Sequence, residues 1–367
     1  MSPPTSPHTG LPPTFVPGFH DETAVCAVHY NPLGETGLYV SHLGCGGGGV
    51  LSSLYGYVLP DTLTAIVHYK NKSDECIFLC YDGTLERKCT LQQRGNSLSI
   101  TEEKCIATIR EAIRQGVNYI DTAPWYGQGR SEDILGKLSH QTTVQALKEV
   151  PRQAYYIGTK VGRYELHPHH MFDFSASKTR QSIEKSLKLL QLDYVDILQV
   201  HDVEFAPDSE MVINETLPVV KEAAEAGKAR FIGITGYPVS ALKDIITRSK
   251  DIRISTVLSY CRDTLVDSTL QEYMPFFKSQ GVELGKLAVY HALTREGQAT
   301  HIVGANCREV LHLNLRTLRE VREGLTEAER QVLEHVKDRF FADLKVRHWE
   351  GKELRERAEN EKLEGKS

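Results

Sequence analysis

Four side chains of this sequence are suited to one piece of chemistry. In Asp121-Thr122-Ala123-Pro124-Trp125-Tyr126-Gly127 an aspartate closes an apolar run, and a tyrosine follows a few residues on. A second run, YIGTK, ends in Lys160, and a third, VDILQVH, ends in His201. Reducing a carbonyl by hydride needs a proton donor for the developing alkoxide. A tyrosine titrating near ~10 is a poor acid at neutral pH unless a nearby cation lowers it. Lys160 can be that cation. A buried lysine tends to lose its own proton, so it needs a carboxylate partner, and Asp121 can supply one. His201 can donate a hydrogen bond to the substrate oxygen and fix its orientation. Taken singly, each residue has a plainer reading: a cap or surface charge for the aspartate and lysine, packing for the tyrosine, a satisfied structural histidine. The four together, in this order on successive strands, read as a catalytic set.

The elements that must position them alternate strand with helix. Strands are expected at Leu38–Cys45, Val117–Asp121, Tyr155–Lys160, Val195–His201, Arg230–Thr235, Ile254–Ser259 and His301–Gly304. A helix between the first two carries Ile106, Ile109, Ala112 and Ile113 on one face and stops at Gly116. Ser175 is placed to cap a helix striped by Ile183, Leu187 and Leu190. Another helix, through Val219, Val220 and Ala223, stops at Gly227, and an amphipathic helix is centred on Leu242 and Ile246. Thr326-Glu327-Ala328-Glu329 is a capping box for a last helix, Thr326 to Leu344, with Val332, Val336 and Phe340 on its stripe. This rhythm implies right-handed βαβ units and a parallel sheet. Polar residues at the C-terminal strand ends suit the active face of a (β/α)8 TIM-type barrel.

Two stretches break the rhythm. Tyr57–Ile100 stands between the first strand and its helix, far longer than the ~2–6 residues usual for a βα loop. After Ser259, the helix ending at Phe276–Gln280 runs directly into GVELGKLAVYHAL, with no strand between them. The expected fold is therefore a barrel apparently lacking its seventh strand and carrying a long insertion after the first. By segment, 1–29 is a disordered proline-rich lead, 30–349 the barrel with 57–100 as the atypical insertion, and 350–367 a charged, solvated tail.

Bulk composition narrows the class. With a net charge of -5, nothing favours a nucleic acid or an anionic membrane as partner. No apolar run approaches the ~20 residues of a membrane helix, and the N-terminus lacks the basic start and apolar core of a secretory signal. The 8 scattered cysteines then point to free thiols in the cytoplasm. Gly44 to Gly49 formally satisfies GxGxxG, yet continues into LSSLYGYVLP rather than a helix with a distant acidic residue. Those glycines are better read as allowing the first strand's loop to come close to the substrate side. Cys76, Cys80 and Cys89 with His68 fit no common zinc spacing, and HPHH at His167–His170 reads as a solvated loop; no metal is expected.

The segments DTAPWYGQGRSEDILG, TKVG, VDILQVHD and GKARFIGITG resemble the aldo-keto reductase family. FDFSASKTRQSIEKSLKLLQLDYVDILQVHDVEFAPD and INETLP are similar to its L-galactose dehydrogenase and D-threo-aldose 1-dehydrogenase branch, and NPLGETGLYVSHLGCGG fits as hairpin and first strand. The resemblance covers roughly Tyr30–Gly56 and Thr101–Glu350. It implies Asp121, Tyr126, Lys160 and His201 as the catalytic tetrad and NAD or NADP as cofactor. It also implies oxidation of an aldose at C1 to its lactone, or reduction of a carbonyl, without metal. Thr235 and Gly236 stand where many members have Ser-Asn at the nicotinamide amide. Gly304, Asn306, Arg308 and Asn314 fall in the adenosine-phosphate region. The absent strand would supply nicotinamide stacking and its loop the pyrophosphate contact, so weak cofactor binding is expected. The competing reading is a catalytically silent variant that acts as a non-catalytic binding protein.

Overall fold

The computed structural model describes residues 11–48, 102–139, 150–259, 284–294, 298–305, 307–336 and 338. A short helix, α1 (Glu22–Ala27), leads into an antiparallel hairpin of β1 (Tyr30–Pro32) and β2 (Tyr39–Ser41). Seven parallel strands follow: β3 (Leu43–Gly46), β4 (Tyr119–Asp121), β5 (Tyr156–Val161), β6 (Val195–Val200), β7 (Ala229–Thr235), β8 (Thr256–Leu258) and β9 (His301–Val303). They form one curled sheet in the order β8-β7-β6-β5-β4-β3-β9. The two strands that would flank an absent seventh strand, β8 and β9, stand at the two ends of this order. Each has one neighbour among the described residues.

The helices are α2 (Glu102–Arg114), α3 (Arg130–Ser139), α4 (Ala176–Leu190), α5 (Leu217–Glu225), α6 (Val239–Arg248), α7 (Leu284–Leu293), α8 (Arg308–Glu320) and α9 (Glu327–Val336). Buried apolar residues of α2, α3, α4, α5, α6 and α8 pack in one core cluster with those of the strands. Helix α2 buries Ile106, Ile109, Ala112 and Ile113, and the chain leaves it at Gly116. Gly116 has φ +100°, and a Cβ there would lie 2.7 Å from the Tyr30 hydroxyl, so only glycine fits this turn. Ser175 caps α4 by accepting from the Lys178 amide at 3.3 Å. At α9 the Thr326 and Glu329 side chains accept from each other's backbone amides, closing the capping box.

Strand alternation divides the interior in two. On β6, Leu198 and Val200 face outward into the large core shared with the helices. Ile197 faces inward, in a second cluster with Tyr119, Tyr156 and, from the hairpin, Leu38 and Val40. The hairpin thus closes the N-terminal end of the sheet with apolar side chains. The C-terminal end is left to polar ones.

The structure corrects three expectations. The single strand expected at Leu38–Cys45 is two, β2 and β3, because the chain turns at His42 from the hairpin into the sheet. On α6 Leu242 is buried as expected, but its buried partner is Ile245, while Ile246 is 42% exposed; the apolar stripe steps by three residues here instead of four. The lead is not disordered to residue 29. Thr14 is buried, and its hydroxyl accepts from Asn118 at 3.0 Å. Asp21 caps α1 through the Ala24 amide, and Val25 and Val28 pack in the core, which outweighs the proline-rich composition. The Tyr57–Ile100 insertion, the Phe276–Gln280 helix, the cysteines at 76, 80 and 89, His68, Asn306 and the tail at 350–367 lie outside the described residues.

Candidate active site

Three consecutive parallel strands present their last inward residues to one point. Asp121 ends β4, Lys160 is the next-to-last residue of β5, and His201 follows the end of β6. Tyr126 comes from the loop after β4, in a tight turn Tyr126–Gly129 where Gly127 and Gln128 both adopt left-handed backbone. That turn folds the tyrosine back over the strand ends instead of letting the chain continue outward.

Lys160 is the hub. It is 1% exposed, so an unpartnered ammonium there would be costly. Its Nζ donates to Asp121 Oδ2 at 2.5 Å, to the Thr122 carbonyl at 3.0 Å and to the Tyr126 hydroxyl at 3.1 Å. All three ammonium protons are thereby used. The same Nζ lies 4.5 Å from the centre of the Tyr126 ring. Asp121 is held from its other side: Gln199, inward on β6, donates to Oδ1 at 3.0 Å. His201 sets its ring edge-to-face with Tyr126, centroids 5.8 Å apart. The four residues expected from the sequence are therefore brought together.

The electrostatics differ in part from expectation. Burial alone would lower the Lys160 pKa, but Asp121 and Tyr126 outweigh it and hold the pKa above the usual range, so the ammonium stays charged. For Tyr126 the order is reversed. Burial raises its pKa most; Lys160 pulls it down, Asp121 pushes it up, and the net is upward. The lysine thus does not make this tyrosine an easily ionised phenol at rest; it places a cation where phenolate charge would appear. Burial drives the His201 pKa down to about 3, with Lys160 and Arg163 acting in the same direction against Asp202, so the imidazole is neutral at physiological pH.

Several supporting residues were not singled out from the sequence. Gln199 was legible in principle, since it shares an inward face with His201 at the two-residue period of a strand. Thr159, facing the other way from Lys160, donates to the buried Glu132 of α3 at 2.6 Å. Thr122 and Ser131 hydroxyls are 2.7 Å apart. A Cβ on Gly47 would stand 2.6 Å from Ser131 Oγ and 3.1 Å from the Asp121 carbonyl. The glycine run after β3 does serve close approach to the site.

The cofactor candidates are more dispersed. The Thr235 hydroxyl already accepts from the Asp202 amide at 3.0 Å. A Cβ on Gly236 would meet Glu204 Oε2 at 2.6 Å, so that space holds a carboxylate. Gly304 and Asn314 are buried, Asn314 on the face of α8 that carries Leu311 and Leu315. Arg308 is exposed at the first position of α8, just beyond the C-terminal end of β9. The exposed cation and the positive end of the helix dipole there suit a phosphate. The histidines of His167–His170 form an exposed turn with rings 5.3 and 5.5 Å apart. Among the described residues no group of three or more His, Cys, Asp or Glu is placed to hold a metal.

Comparison with known proteins places this geometry. Residues 90–264, which contain all four site residues, match the sequence profile of the Aldo/keto reductase family. L-galactose dehydrogenase of Arabidopsis thaliana is 44% identical over 183 residues, 50% of this chain and 54% of that protein. D-arabinose 1-dehydrogenase of Saccharomyces cerevisiae is 33% identical over 172 residues, 45% of this chain and 48% of that one. The chain thus spans about half the length of the curated relatives it matches. Among solved structures, the thermostable aldo-keto reductase Tm1743 superposes with a TM-score of 0.53 at 22% identity, covering 84% of this chain and 99% of that one. The putative aldo-keto reductase PA4992 from Pseudomonas aeruginosa gives 0.52 at 21%, covering 83% and 97%. At such identities the agreement is one of fold. The segment 90–264, with the strand ends it carries, is thus similar to the aldo/keto reductase family.

Proposed function

We propose that the chain is an NAD(P)-dependent oxidoreductase of aldo-keto type. It oxidises an aldose resembling L-galactose at C1 to the lactone, or reduces a carbonyl, with Tyr126 as general acid and base. The observation that carries this reading is the Lys160 ammonium, buried and bonded at once to Asp121, the Thr122 carbonyl and the Tyr126 hydroxyl. A packing cluster has no need of a charged pair whose free end is a phenol. The names of the two curated relatives, both sugar dehydrogenases, support the aldose.

When bound, NAD(P) supplies or takes up the hydride. Arg308 and the first turn of α8 would hold a nucleotide phosphate, and Thr235 and Gly236 lie at the strand end nearest the tetrad's histidine loop. In reduction, Tyr126 gives its proton to the developing alkoxide, and Lys160 stabilises the phenolate left behind. Neutral His201 donates a hydrogen bond to the same oxygen. In oxidation, Tyr126 must first lose its proton, so that direction is expected to quicken as pH rises. The four free cysteines among the described residues, Cys26, Cys45, Cys105 and Cys307, suit the cytoplasmic setting that belongs to this reading. Among the described residues no helix is long and apolar enough to cross a membrane.

One observation favours a second reading. The outer strands β8 and β9 each have a single neighbour among the described residues, and an incomplete nucleotide site would leave a non-catalytic binding protein. The deciding experiment is a titration of purified full-length protein with NADH and NADPH, followed by turnover with L-galactose, related aldoses and aromatic aldehydes. Dissociation constants in the low micromolar range, with turnover lost in Tyr126→Phe, support the enzyme. A protein folded by circular dichroism that binds neither nucleotide supports the alternative.

A further inference from the structure

A second charged pair stands beside the tetrad, and the chemistry above does not use it. Arg163, just beyond β5, donates from Nη1 to Asp202 Oδ2 at 2.8 Å, and the two side chains are 6% and 3% exposed. The guanidinium lies 4.3 Å above the Trp125 ring and 5.2 Å from that of Phe172, so it is anchored on two aromatic faces. Asp202 directly follows His201 and holds a left-handed backbone at φ +51°, a conformation that a non-glycine residue adopts at a cost. Its amide donates to Thr235 Oγ1 at 3.0 Å, tying the bend to β7. The carboxylate oxygen that Arg163 holds is also 3.6 Å from His201 Nε2.

A buried carboxylate beside an imidazole normally draws a proton onto it. The charged and titratable groups around this ring are Asp202 on its own loop, Lys160 and Arg163 from β5 and its end, and Tyr126 from the loop after β4. We propose that Arg163 is a positioning residue for the reaction: by engaging the Asp202 carboxylate, it keeps that carboxylate from converting His201 into an imidazolium. The inference rests on the role proposed for His201, since a neutral ring presents one donor and no competing charge near Lys160.

The test reads the ring itself. Full-length protein with isotope-labelled histidine is followed by NMR across pH, His201 being assigned from the signal lost in His201→Asn. Wild-type His201 is expected to remain neutral down to about pH 5. In Arg163→Met its midpoint should rise by about 1–3 pH units. Arg163→Lys should behave as wild type, and Arg163→Met combined with Asp202→Asn should return the ring to neutrality. Should Arg163→Met not fold, Arg163→Gln keeps a hydrogen bond to Asp202 without the charge and gives the same reading. The proposal is overturned if the His201 midpoint does not rise in the uncharged single variants, or if the double variant protonates as readily as the single. Absence of turnover in every form, wild type included, would count against the oxidoreductase reading and leave this titration intact.

Discussion

The two ends of the sheet's inner face are built on opposite principles. At the N-terminal end, Leu38 and Val40 of the hairpin pack on Tyr119, Tyr156 and Ile197. At the C-terminal end, one strand position or two further along β4, β5 and β6, the inward residues are Asp121, Lys160, Gln199 and His201. Both sets are buried, and the same alternation aims both. The apolar end gains by leaving water and tolerates approximate fits. The polar end gains only if every charge meets a partner, as the three bonds of Lys160 do. One end should therefore answer to volume and the other to charge.

The sharpest break is Tyr126→Phe. Removing one hydroxyl from the polar end should lower turnover by about 10²–10⁴-fold, as read by nicotinamide absorbance, and, by taking one of the three partners of the Lys160 ammonium, should cost about 1–3 kcal/mol in a thermal melt. Asp121→Leu comes next. It strands the Lys160 ammonium and should cost about 3–5 kcal/mol in urea unfolding, along with activity. At the other end, Leu38→Ala is expected to cost roughly 2–5 kcal/mol while turnover per folded molecule persists. If it also abolished turnover in the folded protein, the two ends would not be separable.

A pH series refines the contrast. Burial lifts the Glu132 carboxyl behind β5 to about 7, against about 4.3 in an unfolded chain. A folded-state value above the unfolded one gives stability that is full at low pH and is lost as pH rises through 7. Glu132→Gln should remove that loss, raising stability at pH 8–9 by on the order of 3 kcal/mol relative to wild type. His201 has the opposite sign. Its folded value of about 3 lies below the unfolded one, so its contribution is full above about 6.5 and is lost as pH falls toward 3. Stability in wild type should thus be highest between the two limbs. The smallest effect belongs far from both ends: Thr326→Ala, at the exposed cap of α9, should cost about 1 kcal/mol and leave activity alone.

Much of this was legible beforehand because it depends on local chemistry. Stripes such as Ile106, Ile109, Ala112 and Ile113, the caps at Ser175 and Thr326 and the stops at Gly116 and Gly227 each report on a few neighbouring residues. The meeting of Asp121, Lys160 and His201 was legible because they stand at or next to the ends of successive strands, which a parallel sheet brings together; Tyr126 reaches them from the loop after β4. The α6 stripe was misjudged by one position, since Ile245 and Ile246 are equally apolar and packing alone chooses between them. The ordered stretch from Thr14 to Val28 was hidden by proline composition, which says nothing of a distant partner such as Asn118.

By itself, then, the amino-acid sequence determined the order of the described strands and helices and singled out Asp121, Tyr126, Lys160 and His201 as candidates. Those follow from periodicity and residue type, which neighbours along the chain suffice to express. Only the tertiary structure decided that burial outweighs Lys160 at the Tyr126 hydroxyl, that His201 is neutral, and that Arg163 reaches Asp202 across two strand ends. These depend on desolvation and on distances of a few ångströms between segments far apart in the chain, and no local pattern encodes either.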